Sequence, residues 1–195
     1  CHIAQDSVQG STHACYMRSL LSASRVDLAL KHFAFLSDKA DEVALPPTVY
    51  NALLSAYSSS QDFVSFENTW EKMVANGSVD SHSFELLMGN HIHLNNKSKT
   101  LLAYEEFKKT KLISTPKILS FVISVQNNFR ELQNVWSSTS AYRWKQSVTA
   151  CIQACTRIGM KHLNDNALEI LRWGADIYFA FQRKEEMITK SSISD

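Results

Sequence analysis

Glycine and proline are scarce in this chain, five and three among 195 residues. Tight hairpin turns draw on both residue types, so a fold of many short strands is not expected. An excess of charge of one sign is also missing, with 20 Lys and Arg against 19 Asp and Glu. A protein that holds nucleic acid mainly by neutralising phosphates is usually clearly basic, and the chain as a whole is not. No apolar run approaches the roughly 18 residues that span a bilayer, so no membrane span is expected. The four cysteines are Cys1, Cys15, Cys151 and Cys155, three of them inside apolar helical patterns. That placement fits buried thiols in a reducing compartment better than a disulfide framework. No nucleophile–base–acid arrangement, phosphate-binding glycine loop or paired-carboxylate motif occurs, so neither an enzyme nor a cofactor is expected. The chain starts at Cys1 and ends in the polar "KSSISD". It reads as a processed chain or an internal slice, with any targeting peptide out of view.

A helical rhythm fills the chain instead. Apolar residues make up 45% and charged residues 20%, the balance of an ordinary globular protein. In "VYNALLSAYSSSQDFVSFENTWEKMVANGSVD", Val49 to Asp80, residues Tyr50, Leu53, Leu54 and Tyr57 recur at i, i+3, i+4 and i+7. That spacing is one face of a helix. Phe63, Phe66, Trp70 and Met73 form a second face. Pro46-Pro47-Thr48 offers a helix start, "SSSQD" a turn and a cap for the second helix, and Gly77 stands where a left-handed C-terminal cap belongs.

The same positions return along the chain. Shifted back by 37 residues, the first set becomes His13, Tyr16, Met17 and Leu20, and the second Val26, Ala29, Phe33 and Leu36. Shifted forward by 34, the first set becomes Phe84, Leu87, Met88 and His91. Thr100, Ala103, Phe107 and Thr110 follow after a longer turn around Asn95-Asn96-Lys97. Ile118, Phe121, Val122 and Val125 come next, then Phe129, Leu132, Trp136 and Thr139. A fifth copy opens with Val148, Cys151, Ile152 and Cys155. Its second helix reads either as Met160, Leu163, Ala167 and Ile170 or as a later start after a longer turn. The segment "GADIYFAFQRKEEM" reads as one more helix that caps the array.

One helix pair cannot bury enough apolar surface to offset the backbone entropy of about 35 residues, whereas stacked pairs shelter each other's faces. The expectation is an all-α, right-handed α-solenoid of about five helix-turn-helix units. The units fall near 11–46, 47–80, 81–114, 115–144 and 145–173, with a capping helix and polar tail over 174–195.

A period near 35 with paired helices fits two families. The early Trp, Leu-Gly and closing Pro of tetratricopeptide repeats are missing. "TVYNALLSAY" and "FENTWEKMVANGSVD" instead resemble the opening and continuation of a pentatricopeptide repeat, and "DLALKHFAFL" and "SVTACIQACTRIG" are similar to it too. The resemblance covers roughly 11–171 and is strongest in the second unit. It implies organellar RNA work, a single strand lying along a groove lined by the first helices with one base per repeat. By the resemblance, the main reader follows the first helix's aromatic and the second reader closes the repeat. Asn51 and Asp80 occupy those positions in the second unit, the family's uridine-preferring pair. An amide can meet a base edge while a carboxylate orients it. The other units depart from that pattern, with Ala14 and Pro46, Glu85 and Ser114, Leu119 and Trp144, and Thr149 in the fifth.

Other residues carry two readings each. Lys97, Lys99, Lys108, Lys109, Lys111 and Lys117 make the third unit locally basic, either as phosphate contacts or as a solvated face offset by Glu105 and Glu106. Cys151 and Cys155, four apart with His162 near, read as packed core thiols rather than a metal site. His91 replaces an apolar core residue while His93 points elsewhere, so no metal is expected there. Trp70, Trp136, Trp144 and Trp173 could stack on bases, but Trp70 and Trp136 fall on core positions and Trp144 is the better stacking candidate.

The reading that follows is a non-catalytic scaffold or RNA-associated subunit of a mitochondrial ribonucleoprotein, such as the mitochondrial ribosome, acting in translation. Its partners would be organellar mRNA or rRNA and other protein subunits, in the matrix, with a plastid as the lesser alternative. Two alternatives stand beside it, a sequence-selective single-stranded RNA-binding factor and a purely protein-binding helical repeat.

Overall fold

The computed structural model describes the backbone of residues 2–23, 25–39, 45–139, 144–161 and 166–191. Among these residues the regular elements are all α-helices: α1 (His2–Ser22), α2 (Val26–Lys39), α3 (Pro47–Ser60), α4 (Phe63–Ala75), α5 (Ser81–His93), α6 (Lys97–Lys109), α7 (Pro116–Val125), α8 (Phe129–Ser138), α9 (Lys145–Lys161) and α10 (Asn166–Ser191). The chain forms two compact units, Cys1–Asn90 and His91–Asp195. This all-helical architecture is compatible with a helical repeat.

The local chemistry explains where the helices start and stop. Pro47 opens α3, where its missing N–H costs nothing because the first turn leaves that donor unpaired anyway. Gln61 ends α3 in the left-handed region, φ 59°, and Asp62 then caps α4 by accepting from the Ser65 N–H at 3.1 Å. The cap's hydrogen bonds from Ser65 hold the Asp62 carboxyl below its ordinary range. After α4 the chain turns through Gly77 at φ 63°, a conformation that costs glycine little. Asn96 caps α6, Thr115 caps α7 ahead of Pro116, and Asn128 caps α8, each accepting a backbone N–H within two or three residues.

In the first unit α1 packs on α2 and α3, α2 on α3, and α3 on α4. Met17, Leu53, Leu54, Phe66 and Met73 are fully buried, each worth roughly 1.5–3 kcal/mol relative to exposure. Two aromatic contacts repeat. Phe33 of α2 meets Tyr50 of α3 edge-on, with centroids 5.7 Å apart, and Trp70 of α4 meets Phe84 of α5 edge-on at 5.3 Å. The buried face of α1 is turned slightly from the expected one. Ala14 and Met17 are buried, while Tyr16 is half exposed and leans edge-on against His32 of α2. Cys15, expected to be buried, is exposed for the same reason.

In the second unit α7 packs on α6, α8 and α9, and α9 on α8 and α10. One core joins Leu119 and Ile123 of α7, Leu132 of α8, Cys151, Cys155 and Ile158 of α9 and Ile170 of α10, with Trp136 and Trp173 packed against it. The partner helix of α9 follows the later of the two expected starts. Met160 belongs to α9 and is 71% exposed, whereas Ala167 and Ile170 lie on α10. Leu163 lies outside the described residues. The boundary expected between 173 and 174 falls inside α10, which runs unbroken through Trp173 and Gly174. No proline interrupts 166–191, and Gly174 sits so close to Cys155 that an added Cβ would make a tight contact.

Candidate nucleic-acid interface

In the first unit a groove of about 750 Å³ runs along α1 and α3 and ends at the start of α5. Its walls follow the repeat. Arg18 and Ser22 of α1 stand 37 residues before Ser55 and Ser59 of α3, and all four line the groove. The spacing of four places each pair on one helical stripe. Asn51 continues the α3 stripe one turn earlier, and Asp80 and His82 close the end.

Asn51 is 6% exposed. Its amide Nδ2 donates to Asp80 Oδ1 at 3.1 Å. That orientation is set by chemistry, because the reversed amide would turn Oδ1 towards a carboxylate. The Asn51 Oδ1 is buried with no hydrogen-bond partner among the protein groups, a state that costs about 1–3 kcal/mol.

Asp80 has a second task. Its Oδ1 also accepts from the Ser83 N–H and the Ser83 hydroxyl, both at 2.8 Å, and the Asp80 N–H donates back to Ser83 Oγ at 3.1 Å. This reciprocal cap starts α5. Burial alone would raise the Asp80 carboxyl, but the hydrogen bonds from Ser83 and Asn51, with the nearby charge of His82, hold it below its ordinary range. His82 Nδ1 in turn lies 3.2 Å from a Glu85 carboxylate oxygen.

The structure therefore brings the two expected readers of the second unit together. The matching positions elsewhere differ in kind. Ala14 and Leu119 are each 1% exposed and packed in core, Glu85 faces His82, and Thr149 is exposed with its hydroxyl donating to Lys145 O.

No family model matches the chain, and no curated protein matches it.

The expected basic cluster spreads over several elements. Lys97 and Lys99 sit in the first turn of α6 and Lys108 and Lys109 in its last, about 16 Å away by the helical rise. Lys97 Nζ donates to Asn127 at 3.0 Å. Lys108 pairs with Glu105 at 2.7 Å and lies over the Tyr104 ring, and Lys117 lies over the Phe121 ring. Lys109 and Lys111 are exposed. Trp144 is 41% exposed at the start of α9, where its carbonyl accepts from the Val148 N–H. Trp70 and Trp136 are half-buried against Phe84 and Trp173.

Cys151 and Cys155 are buried, and the contact with Cys155, together with burial, pushes the Cys151 thiol up. His162 lies outside the described residues. Among the described residues no group of three His, Cys, Asp or Glu side chains could hold a metal ion, and no helix is long and apolar enough to cross a membrane.

Sequence reasoning missed Arg18, Ser22, Ser55 and Ser59. The signal was present, since the shift of 37 residues that relates the apolar positions also relates these polar ones. It also missed the cap, legible in "DSHS" as an Asp three residues before a Ser.

Proposed function

We propose that the chain is a right-handed α-solenoid of about five pentatricopeptide-like helix pairs, serving as a non-catalytic, RNA-associated scaffold subunit of a mitochondrial ribonucleoprotein such as the mitochondrial ribosome. The observation that carries this reading is the contrast between reader positions. One unit has a hydrogen-bonding pair, Asn51 and Asp80, beside a groove. The equivalent Ala14 and Leu119 are buried in core and have no polar atom to offer a base. A surface of this kind suits contact with RNA at one place more than the reading of a long strand.

The exposed apolar side chains of α10 favour protein contacts over much of the rest. Leu168, Leu171 and Phe179 are 45–65% exposed, and the outer face of a terminal repeat in an isolated array is normally polar. The mitochondrial setting rests on the family resemblance alone. A second reading, a factor that selects single-stranded RNA, is favoured by the placement of Asn51 and Asp80 together beside the groove.

Two measurements on the full chain separate these roles. Co-sedimentation with mitochondrial ribosomal particles, with weak binding of the free chain to short RNAs, supports the scaffold. Tight binding of the free chain to uridine-containing strands over uridine-free ones, lost in Asn51→Ala, supports the strand-selecting factor. If the chain neither enters a ribonucleoprotein particle nor binds RNA, both are wrong.

A further inference from the structure

We propose that the outward face of α10 docks a second copy of this chain, the two α10 helices packing antiparallel about a two-fold axis beside residue 174. The inference stands on the second unit alone and needs no RNA contact.

Helix α10 has two faces. On one, Ile170 is buried, Trp173 and Ile177 pack on the core of the second unit, and Gly174 lies against Cys155. On the other, Leu168, Leu171, Arg172, Ala175 and Phe179 recur at i, i+3, i+4, i+7 and i+11, one stripe of a helix. All five are exposed, as are Asp176 and Tyr178 at the edges of the stripe. Arg172 and Asp176 stand four apart, a spacing that permits an ion pair within the helix. Among the described residues neither forms one, so both charges face outward beside exposed leucines and rings.

The stripe is complementary to its own reverse. Arg172 and Asp176 are centred on position 174, Leu171 and Tyr178 on 174.5, and Leu168 and Phe179 on 173.5. In a two-fold interface every contact from i to j recurs from j to i. An axis at that point sets Arg172 against Asp176 of the other copy, Leu171 against Tyr178 and Leu168 against Phe179, each twice. Opposite charges meet, and each ring meets a leucine. Ala175 stands beside the crossing, where a small side chain lets two helix axes come close. The overlap runs over 166–182, about 25 Å of helix. Such a strip removes on the order of 1,000 Å² from water in total, the lower end for a specific interface, so a dimer of micromolar affinity is expected.

Other occupants fit less well. A partner of unrelated sequence gives no reason for the shared midpoint. A helix that lies on a lipid surface sinks its main apolar face and turns a basic face to water. The main apolar face of α10 is already buried in the core, and Asp176 borders the exposed stripe.

The test follows the mass of the full chain by sedimentation equilibrium from about 1 to about 100 µM. Wild type is expected to pass from monomer to dimer over that range. Phe179→Ser should weaken the dimer, because it removes an exposed ring from the contact. Arg172→Asp and Asp176→Arg should each weaken it about tenfold, since two attractive pairs become two like-charge pairs. An equimolar mixture of these two variants rebuilds both pairs and should dimerise as wild type does. The mixture holds the same proteins that fail singly, so a folding defect cannot imitate its recovery. A wild type that stays monomeric at the top of the range overturns the proposal, and binding of that monomer to phosphatidylserine vesicles would give the face to a lipid surface. A dimer that none of the three variants weakens lies elsewhere and overturns it too. Variants that weaken the dimer singly and do not recover on mixing overturn the antiparallel two-fold pairing.

Discussion

Asn51 and Asp80 lie 29 residues apart and share a hydrogen bond of 3.1 Å, with Asp80 at the same time capping helix α5 through Ser83. The carboxylate thus joins the candidate site to the fold. Asp80→Ala removes the cap, worth about 1 kcal/mol, and leaves the Asn51 amide without its acceptor, a further 1 kcal/mol or so. The expected loss is about 2 kcal/mol, read by urea unfolding. Asp80→Ser keeps a capping oxygen and should recover roughly half of it. Equal stability of the alanine variant and the wild type would contradict the dual role. Any RNA measurement on Asp80→Ala has to be corrected for this loss, which makes Asn51→Ala the cleaner probe of base contact.

Phe33 against Tyr50 and Trp70 against Phe84 are the same contact made twice. Phe33 and Trp70 are 37 residues apart and Tyr50 and Phe84 are 34 apart, the shifts that relate the apolar positions in the sequence. Edge-on aromatic pairs are worth about 0.5–1.5 kcal/mol beyond the area they bury. Double-mutant cycles to leucine at both pairs should each return a coupling in that range. A coupling at one pair and none at the other would mean that the two layers are not equivalent.

The aromatic pairs also explain what was legible. Helix faces, turns and caps follow from local spacing and local chemistry, so α3, α4 and their junction at Asp62 stand where the pattern puts them. The fifth pair was ambiguous because Met160 satisfies the apolar spacing of either helix. Met160 lies on α9, and the partner helix begins only at Asn166. Tyr16 fits the repeat as well as Met17 does, yet His32 on the neighbouring helix draws it to the edge of the core. At the candidate site, the Asn51 and Asp80 pair was legible as two positions of one repeat. The groove was not, because Arg18 and Ser22 line it only when α1 packs beside α3, a tertiary fact.

His13 Nδ1 and His32 Nε2 lie 3.1 Å apart and link α1 to α2. One ring must donate and the other accept, so the contact needs at least one neutral imidazole. Burial and the neighbouring His13 lower the His32 pKa from 6.5. Tyr16 and Phe35 complete its surroundings, with no carboxylate among these contacts to favour the charged form. Because the folded value lies below the unfolded one, the unfolded chain binds more protons in that window. The contribution is fully present above about pH 6.5 and is lost as pH falls through the lowered folded value. Thermal unfolding from pH 8 to pH 5 should show a fall that His32→Gln makes shallower. An identical pH profile in that variant would remove the pair from the account.

Gly174 and Gly159 test the packing of α9 against α10 in opposite directions. A Cβ at Gly174 would lie 3.1 Å from Cys155 Cβ and 3.3 Å from its Sγ. Cys155 is buried in the core of the second unit, so its Cβ cannot swing aside as the tip of a long side chain would. Alanine gains up to about 1 kcal/mol over glycine in a helix interior, while overpacking a tight contact costs roughly 1–3 kcal/mol. The second effect is expected to win, and Gly174→Ala should destabilise by about 1 kcal/mol. At Gly159 the nearest atom to an added Cβ is Leu171 Cγ at 3.5 Å, an ordinary contact. Only the helix preference then operates, and Gly159→Ala should be neutral to about 1 kcal/mol more stable. Denaturant midpoints of the two variants, measured side by side, decide it. A stabilised Gly174→Ala would mean that α10 stands further from α9 than described, and that the close approach at Cys155 does not hold the helix in place.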